Sequence, residues 1–437
     1  MTILKRIPYW GVVALLVYMP FHIFLAQSLS LVTGGLTEWK VAKDVFLAGL
    51  TLFTICLVWW QARVPKWYVW LTVFTAVYGL LHLVTWALHP DIYTQSALLG
   101  TTYNVRIACF VLVGAGAVLL YSKTFVFSSI FKIVLIVSTV VAALGIVQYF
   151  LPKDILTHLG YDVSRGVRPN FFIDDNPAFP RIMATLRDPN SLGAYLLLPL
   201  AALVGLSLKV KNSMSVRNVF IVAALVLHLV AIYLTFSRSA WAGALLVIGL
   251  TFWWNFSSQL VRFSKKWWPV IGALLVLIGG ILYWQRNNST IDGVITHSTA
   301  AQRGAYDSNE FHWMYVRDGV VGIWREPLGH GPGTAGLVSI RDPGGGHLTE
   351  NYYIQVGYEV GVLGLLLFIL LNIWVYVRIW RSKSPWAPML LVSFWAYLFI
   401  NMLLHIWSNE AVVAQWWLLA GIAIAGSGAR ATANTDV

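Results

Sequence analysis

About twelve stretches of roughly twenty predominantly apolar residues punctuate the chain, each long enough to cross the hydrocarbon core of a bilayer as a helix. They run near 8–29, 41–61, 67–88, 104–121, 129–151, 191–208, 218–236, 239–256, 268–285, 353–377, 386–406 and 411–428. In lipid each segment must satisfy its own backbone polar groups, so a chain of this pattern folds as a helical bundle. Composition agrees: 58% of the 437 residues are hydrophobic and 11% are charged, against about 25% charged in a soluble domain. The 22 tryptophans and 19 tyrosines suit the two membrane interfaces. The expected fold is an all-α integral membrane protein of about twelve transmembrane helices.

The net charge of +12 would suggest nucleic acid in a soluble protein; here it reads as loop charge obeying the positive-inside rule, with no nucleic-acid partner. Lys5 and Arg6 before the first apolar run resemble the start of a signal peptide. No small-residue cleavage site follows, so the run reads as the first transmembrane helix. With the amino terminus cytoplasmic, every inner loop collects lysine or arginine, and both termini fall inside. Cys56 and Cys109 lie in apolar spans, which leaves neither a disulfide framework nor a thiolate metal site.

Three regions follow: 1–285, with nine helices and an outer loop at 152–190; 286–352, a large extracytoplasmic helical loop between spans 9 and 10; and 353–437, the last three helices and a short cytoplasmic tail. The long polar interval 286–352 is where chemistry is expected. It holds Arg286, Arg303, Arg317, Arg325 and Arg341, no lysine, and the histidines His297, His312, His330 and His347. The loop 152–190 adds Lys153, Arg165, Arg168, Arg181 and Arg187. Arginine presents a planar fork to phosphate or carboxylate, so the set suggests an outer-face site for an anionic, diphosphate-like ligand. The competing reading pairs these arginines with nearby acids such as Asp188, Asp318 and Glu326.

Asp307-Ser-Asn-Glu310 has the form of a capping box, and the pattern predicts a helix over 308–325 lying along the membrane surface. Phe311, Met314, Tyr315, Val321 and Trp324 fall mostly on one face, with His312 and Arg317 on the polar side. Pro327 helps to end it, and Gly329 to Gly336 forms a compact turn: Pro332 removes a donor and no Gly-Lys-Ser/Thr follows, so this is no nucleotide loop. Arg238, in Thr235-Phe-Ser-Arg-Ser-Ala240, sits at the junction of two spans. It reads either as a phosphate clamp or as a snorkelling anchor with Ser239 capping the next helix. Arg181 and Arg187 lead into the sixth span, where Asp188 or Asn190 is a candidate helix cap and Pro189 restricts the turn. Glu350, in Glu350-Asn-Tyr-Tyr353, stands where the polar interval re-enters the membrane. That half-desolvated junction suits either a general base or an acid satisfying the helix dipole. Neither Asp-x-Asp nor His-Glu-x-x-His occurs, which disfavours a metal-dependent nucleotide-sugar transferase.

Taken in order, Arg181-Ile-Met-Ala-Thr-Leu-Arg-Asp-Pro-Asn190, Ser237-Arg-Ser-Ala240, Pro327-Leu-Gly-His-Gly-Pro-Gly333, Glu350-Asn-Tyr-Tyr353 and Glu359-Val-Gly-Val-Leu-Gly364 resemble the O-antigen ligase and O-antigen polymerase superfamily of bacterial membrane glycosyltransferases. The resemblance covers about 180–377. It implies a GT-C-like helical fold in the bacterial cytoplasmic membrane, with an extracytoplasmic active site that moves a glycan from undecaprenyl diphosphate to an acceptor hydroxyl. The chemistry it implies is metal-independent and inverting, with no cofactor. Partners would be the carrier-linked glycan, an acceptor glycolipid or glycan, and membrane lipid.

By motif match the donor diphosphate falls to Arg187 and Arg238, with Arg181 and Arg303 as further candidates. Asn351, Tyr352 and Arg317 are the expected substrate contacts. The family's ligases commonly place a histidine just before the asparagine of the last motif; this chain has Glu350 there. Glu350 is therefore the favoured base, with His347 and His312 as contenders. A polymerase or a protein O-oligosaccharyltransferase would use the same chemistry. A lipid-linked glycan transporter, from another class, would be expected to show mid-membrane charges and internal repeats, of which few are seen.

Overall fold

The structure, a computed structural model, describes residues 3–61, 63–121, 123–173, 176–210, 215–258, 308–340 and 346–426. The apolar runs become helices because a helix satisfies its backbone polar groups within one segment inside hydrocarbon. α1 (Ile7–Tyr18) passes through one tight turn at Pro20 into α2 (His22–Thr33) as a single bent span. α3 (Leu36–Trp59), α4 (Lys66–Leu88), α5 (Thr94–Leu120) and α6 (Lys123–Phe150) follow. After the short α7 (Ile155–His158) come α8 (Pro189–Tyr195), continued by α9 (Leu197–Ser207), then α10 (Val216–Leu234) and α11 (Arg238–Ser258). The chain resumes with α12 (Ser308–Arg325) and the single turn α13 (Gly336–Ser339). α14 (Tyr352–Arg381), α15 (Ala387–Asn401) and α16 (Glu410–Gly426) complete it.

Among the described residues nine helices are long and apolar enough to cross a membrane, and α15 and α16 are shorter apolar helices. The span expected at 268–285 lies outside the described residues. Two expectations need correction. Residues 94–103, read as loop, are the first turns of α5, where Gly100 packs directly on Gly333 of the polar interval. The loop 152–190 also carries structure of its own: α7, and an antiparallel pair β1 (Phe171–Ile173) and β2 (Asn176–Arg181), with Phe171 opposite Arg181.

The core centres on α5, whose small residues let α16 lie against it. A Cβ on Gly421 would come 2.3 Å from the Val111 carbonyl, and one on Gly114 would come 2.2 Å from that of Leu418. Close backbone approach of this kind is how helices gain contact where lipid is as apolar as leucine. Trp416 and Trp417 fill the space beyond and are fully buried.

α14 is kinked at Val360 and Gly361, the latter at φ 72. The kink frees the Tyr358 and Glu359 carbonyls, which accept the N–H groups of His330 and Gly331 at 2.8 Å each, while Val362 donates to Pro327 at 2.9 Å. The glycine-rich turn is thus docked into the side of a membrane helix. Alternating helix direction places residues 34–35, 89–93, 151–173, 176–188, 235–237, 326–340, 346–351 and 402–409 at one end of the bundle. At the other, Arg378 lies over Trp67 and Trp374, and Trp254 packs edge-on against Trp380, an aromatic and basic girdle.

Candidate active site

Glu350 sits one residue before the N-cap of α14. Asn351 caps the helix by accepting from the Tyr353 and Ile354 N–H groups at 3.0 and 3.1 Å, and its amide donates to the Met402 carbonyl at 3.1 Å. Thr349, on the other side, donates to the Asn351 carbonyl at 3.2 Å and meets His405 Nε2 at 2.9 Å. Between these anchors Glu350 adopts φ 44, a left-handed conformation that L-residues seldom take. Its Oε2 meets His312 Nδ1, from the second turn of α12, at 2.7 Å. A carboxylate there holds the proton on Nδ1 and leaves Nε2 as a free acceptor, the arrangement of a histidine base with its orienting acid. Burial, with His312 nearby, pushes His405 down to about 4, so at neutral pH it is uncharged.

His347 does not join this pair. Its ring stacks 4.9 Å from Tyr358, which stacks at 3.8 Å on His330, and its backbone ties down the turn through Gly336 and Thr334. Burial lowers its pKa, with Asp318 opposing and His330 adding to the effect. Tyr352 is fully buried and donates to Asn104 at 3.0 Å; Asn104 in turn donates to Glu359, which also accepts from the Gly333 and Ala335 backbone. The side chain read as a substrate contact therefore faces the protein interior, where it braces α14 against α5. Arg317 is exposed and pairs with Asp318 at 3.3 Å.

On α12 the residues that pack on the protein are not the large apolar ones. The face touching α14 is made by Gly319, Gly322 and Ile323 against Ile354, Tyr358 and Gly357, while Met314, Val321 and Trp324 are exposed. Small residues allow the close approach, and the large apolar side chains turn outward. Beside them an apolar groove of about 680 Å³ runs between α12 and α14, lined by Val320, Trp324, Tyr353 and Leu365 among others. The capping residue Asp307 lies outside the described residues, as does Arg303.

The arginines divide between two places. Arg181 donates to the Thr235 carbonyl at 2.9 Å and to Asn190 Oδ1 at 3.1 Å. Burial lowers its pKa, Asp188 opposes this, and Arg238 lowers it further, so Arg181 and Arg238 share one neighbourhood. Asp188 caps α8 by accepting from Ser191, and Ser237 rather than Ser239 stands at the cap of α11. Arg187 instead lines a cavity of about 560 Å³ between α2, α3, α5 and residues 163–167, together with Lys40, Lys43, Arg165, Asp44 and Glu410. Lys43 pairs with Asp44 at 2.7 Å and Glu410 at 3.7 Å, and Arg165 is held by Gln27 and Ser30. Among the described residues the Arg187 guanidinium has no hydrogen-bond or ion-pair partner, and the cavity keeps a cationic surplus.

Lys40, Lys43 and His405 were not singled out from sequence, whereas Arg165 was named among the outer-loop arginines. For the lysines the available signal was ionisable residues within apolar runs, since Lys43, Asp44, Arg106 and Glu410 all cluster here. Among the described residues no group of three or more His, Cys, Asp or Glu side chains is arranged to hold a metal ion.

Residues 223–369 match the family model described as O-antigen ligase, a stretch that takes in Arg238, His312, the docked glycine turn and Glu350. That stretch, about a third of the chain, is similar to the O-antigen ligase family. Comparison with curated proteins gives no match. The O-antigen ligase family is a class of glycan-transferring membrane enzymes, and its matched segment carries the Glu350–His312 pair, while Arg181, Arg187 and His405 lie outside it.

Proposed function

We propose that this protein transfers a glycan from undecaprenyl diphosphate to an acceptor hydroxyl at the outer face of the cytoplasmic membrane. The observation that carries the reading is the 2.7 Å bond between Glu350 and His312. The acceptor hydroxyl gives its proton to His312 Nε2. Its oxygen forms a bond to the anomeric carbon as the carbon–oxygen bond to the diphosphate breaks, and the electron pair leaves with the diphosphate. One displacement inverts the anomeric centre. Glu350 keeps His312 in the productive tautomer and stabilises the imidazolium that forms. Glu350 was favoured as the base itself; because the carboxylate already engages Nδ1, the pair supports His312 as proton acceptor with Glu350 behind it.

Arg187, Arg238 and Arg181 stabilise charge on the departing diphosphate. The cationic cavity beside Arg187 supports this, and the apolar groove along α12 and α14 suits a long lipid chain next to Tyr353. A glycolipid acceptor would make the protein a ligase, a carrier-linked glycan a polymerase, and a protein hydroxyl an oligosaccharyltransferase.

The test is release of undecaprenyl diphosphate and transfer of its glycan by purified protein in a chelating buffer. Wild type is expected to keep its activity there. Glu350→Gln, His312→Ala and Arg238→Ala are expected to lose about 10²–10³ fold. No carrier release with any acceptor would favour transport instead.

A further inference from the structure

One connector holds Glu350 from both sides. The segment between α15 and α16 offers the Met402 carbonyl to Asn351 and the His405 imidazole to Thr349, the residues that flank Glu350. The connector is itself anchored: Asn401 Oδ1 accepts from the Trp407 N–H at 3.1 Å, and Arg106 donates to the Ser408 carbonyl at 2.5 Å.

Thr349 Oγ1 stands 3.2 Å from the Asn351 carbonyl and 2.9 Å from His405 Nε2. With its one proton on the carbonyl, the hydroxyl accepts from Nε2. His405 is 9% exposed, and burial favours its neutral form. The result is a fixed link, delivered from a buried frame, to the residue immediately before a left-handed glutamate.

We propose that His405 is a positioning residue for the Glu350–His312 pair, acting through Thr349 to hold the backbone conformation that aims the Glu350 carboxylate at His312. This rests on the reading of that pair given above. The backbone at Glu350 is one that a non-glycine residue leaves unless its neighbours are held. With Thr349 released, residues 349–351 relax toward extended geometry, the carboxylate swings from Nδ1, and His312 loses its tautomer and orientation. His405 makes no bond to Glu350 or His312 and does not touch the reacting atoms; its effect passes through the threonine.

The experiment measures kcat, and KM for undecaprenyl diphosphate loaded with the source strain's glycan, for His405→Ala, His405→Gln, Thr349→Val, their pairwise combination, and Glu350→Gln and His312→Ala. Misplacing a catalytic group by about 1 Å costs about 10² fold, so His405→Ala is expected to lower kcat by about 10–100 fold with KM changed less than about twofold. The His405→Gln amide N–H can reach Thr349 and is expected to restore kcat to within about threefold. Thr349→Val should reproduce the loss, and Thr349→Val with His405→Ala should be no worse than either alone, because both remove one link.

Wild-type kcat in Thr349→Val, additive losses in the double variant, or a glutamine variant as inactive as alanine with an unchanged melting temperature would each overturn the proposal. If His405→Ala does not fold, Thr349→Val and His405→Gln decide it. Should Glu350→Gln and His312→Ala keep wild-type kcat, the reading of the pair falls and the proposal with it. Should they lose activity while His405→Ala and Thr349→Val do not, the proposal alone falls.

Discussion

Glu350 and His312 were both visible in the sequence as polar side chains beside apolar runs, but their pairing was not. They stand 38 residues apart and meet because a left-handed backbone at 350 turns the carboxylate toward α12. His347, three residues upstream and a contender for the base, has its ring committed to the stack on Tyr358. His405 carried no signal, since one histidine at the end of an apolar run is indistinguishable from a packed one. Its burial nevertheless has a measurable consequence. The folded protein holds His405 at about 4 against 6.5 for the free side chain. Between those values the unfolded chain takes up a proton that the folded protein refuses. The contribution to stability is therefore whole above pH 6.5 and is lost as pH falls toward 4. By pH 5 the loss is about 2 kcal/mol. The melting temperature of detergent-solubilised protein should fall between pH 7 and 5 by more in wild type than in His405→Gln; equal falls would mean the imidazole is not buried as described.

The helices themselves were legible because each satisfies its own backbone, so an apolar run of the right length needs no partner to be recognised. What an element does to its neighbour was not legible. Glu359-Val-Gly-Val reads as uninterrupted span, with no proline to announce a bend, yet α14 kinks there and receives the glycine turn. The start of α5 was hidden because its first turns are polar; there Gly100 packs on Gly333. The kink gives a direct test of this docking. Gly361 has φ 72, and a Cβ there would lie 2.3 Å from the Pro327 carbonyl, a backbone atom that cannot simply move aside. Gly361→Ala therefore meets both backbone strain and a clash, and should cost about 2 kcal/mol or more. The expected result is a lower melting temperature together with faster proteolysis in residues 329–336. A stable variant with an unchanged digestion pattern would show that the turn is not held by the kink.

For the whole molecule, the charge pattern and the helix directions make one joint statement. The end opposite the site carries Arg6, Lys66, Lys209, Arg217, Arg378 and Lys383, which the positive-inside rule assigns to the cytoplasm. The site end breaks that rule with Arg165, Arg181 and Arg187, but these are drawn into the fold: the first two are tied to side chains and carbonyls, and the third lines the cavity. Basic residues that the structure consumes say little about orientation, so the girdle end should decide it. His158, 72% exposed in side chain on α7, marks the site end, and the exposed Lys209 marks the other; neither belongs to the proposed machinery. In a Cys56→Ala, Cys109→Ala background, His158→Cys should react with a membrane-impermeant maleimide on intact cells, or on spheroplasts where an outer membrane is present. Lys209→Cys should react only after the membrane is opened. That result would put the Glu350–His312 pair on the side where a glycan already flipped across the membrane is presented. The reverse labelling would place it on the cytoplasmic side, and the donor would then have to be one loaded and used there, which ends the outer-face transfer proposed above while leaving the fold intact.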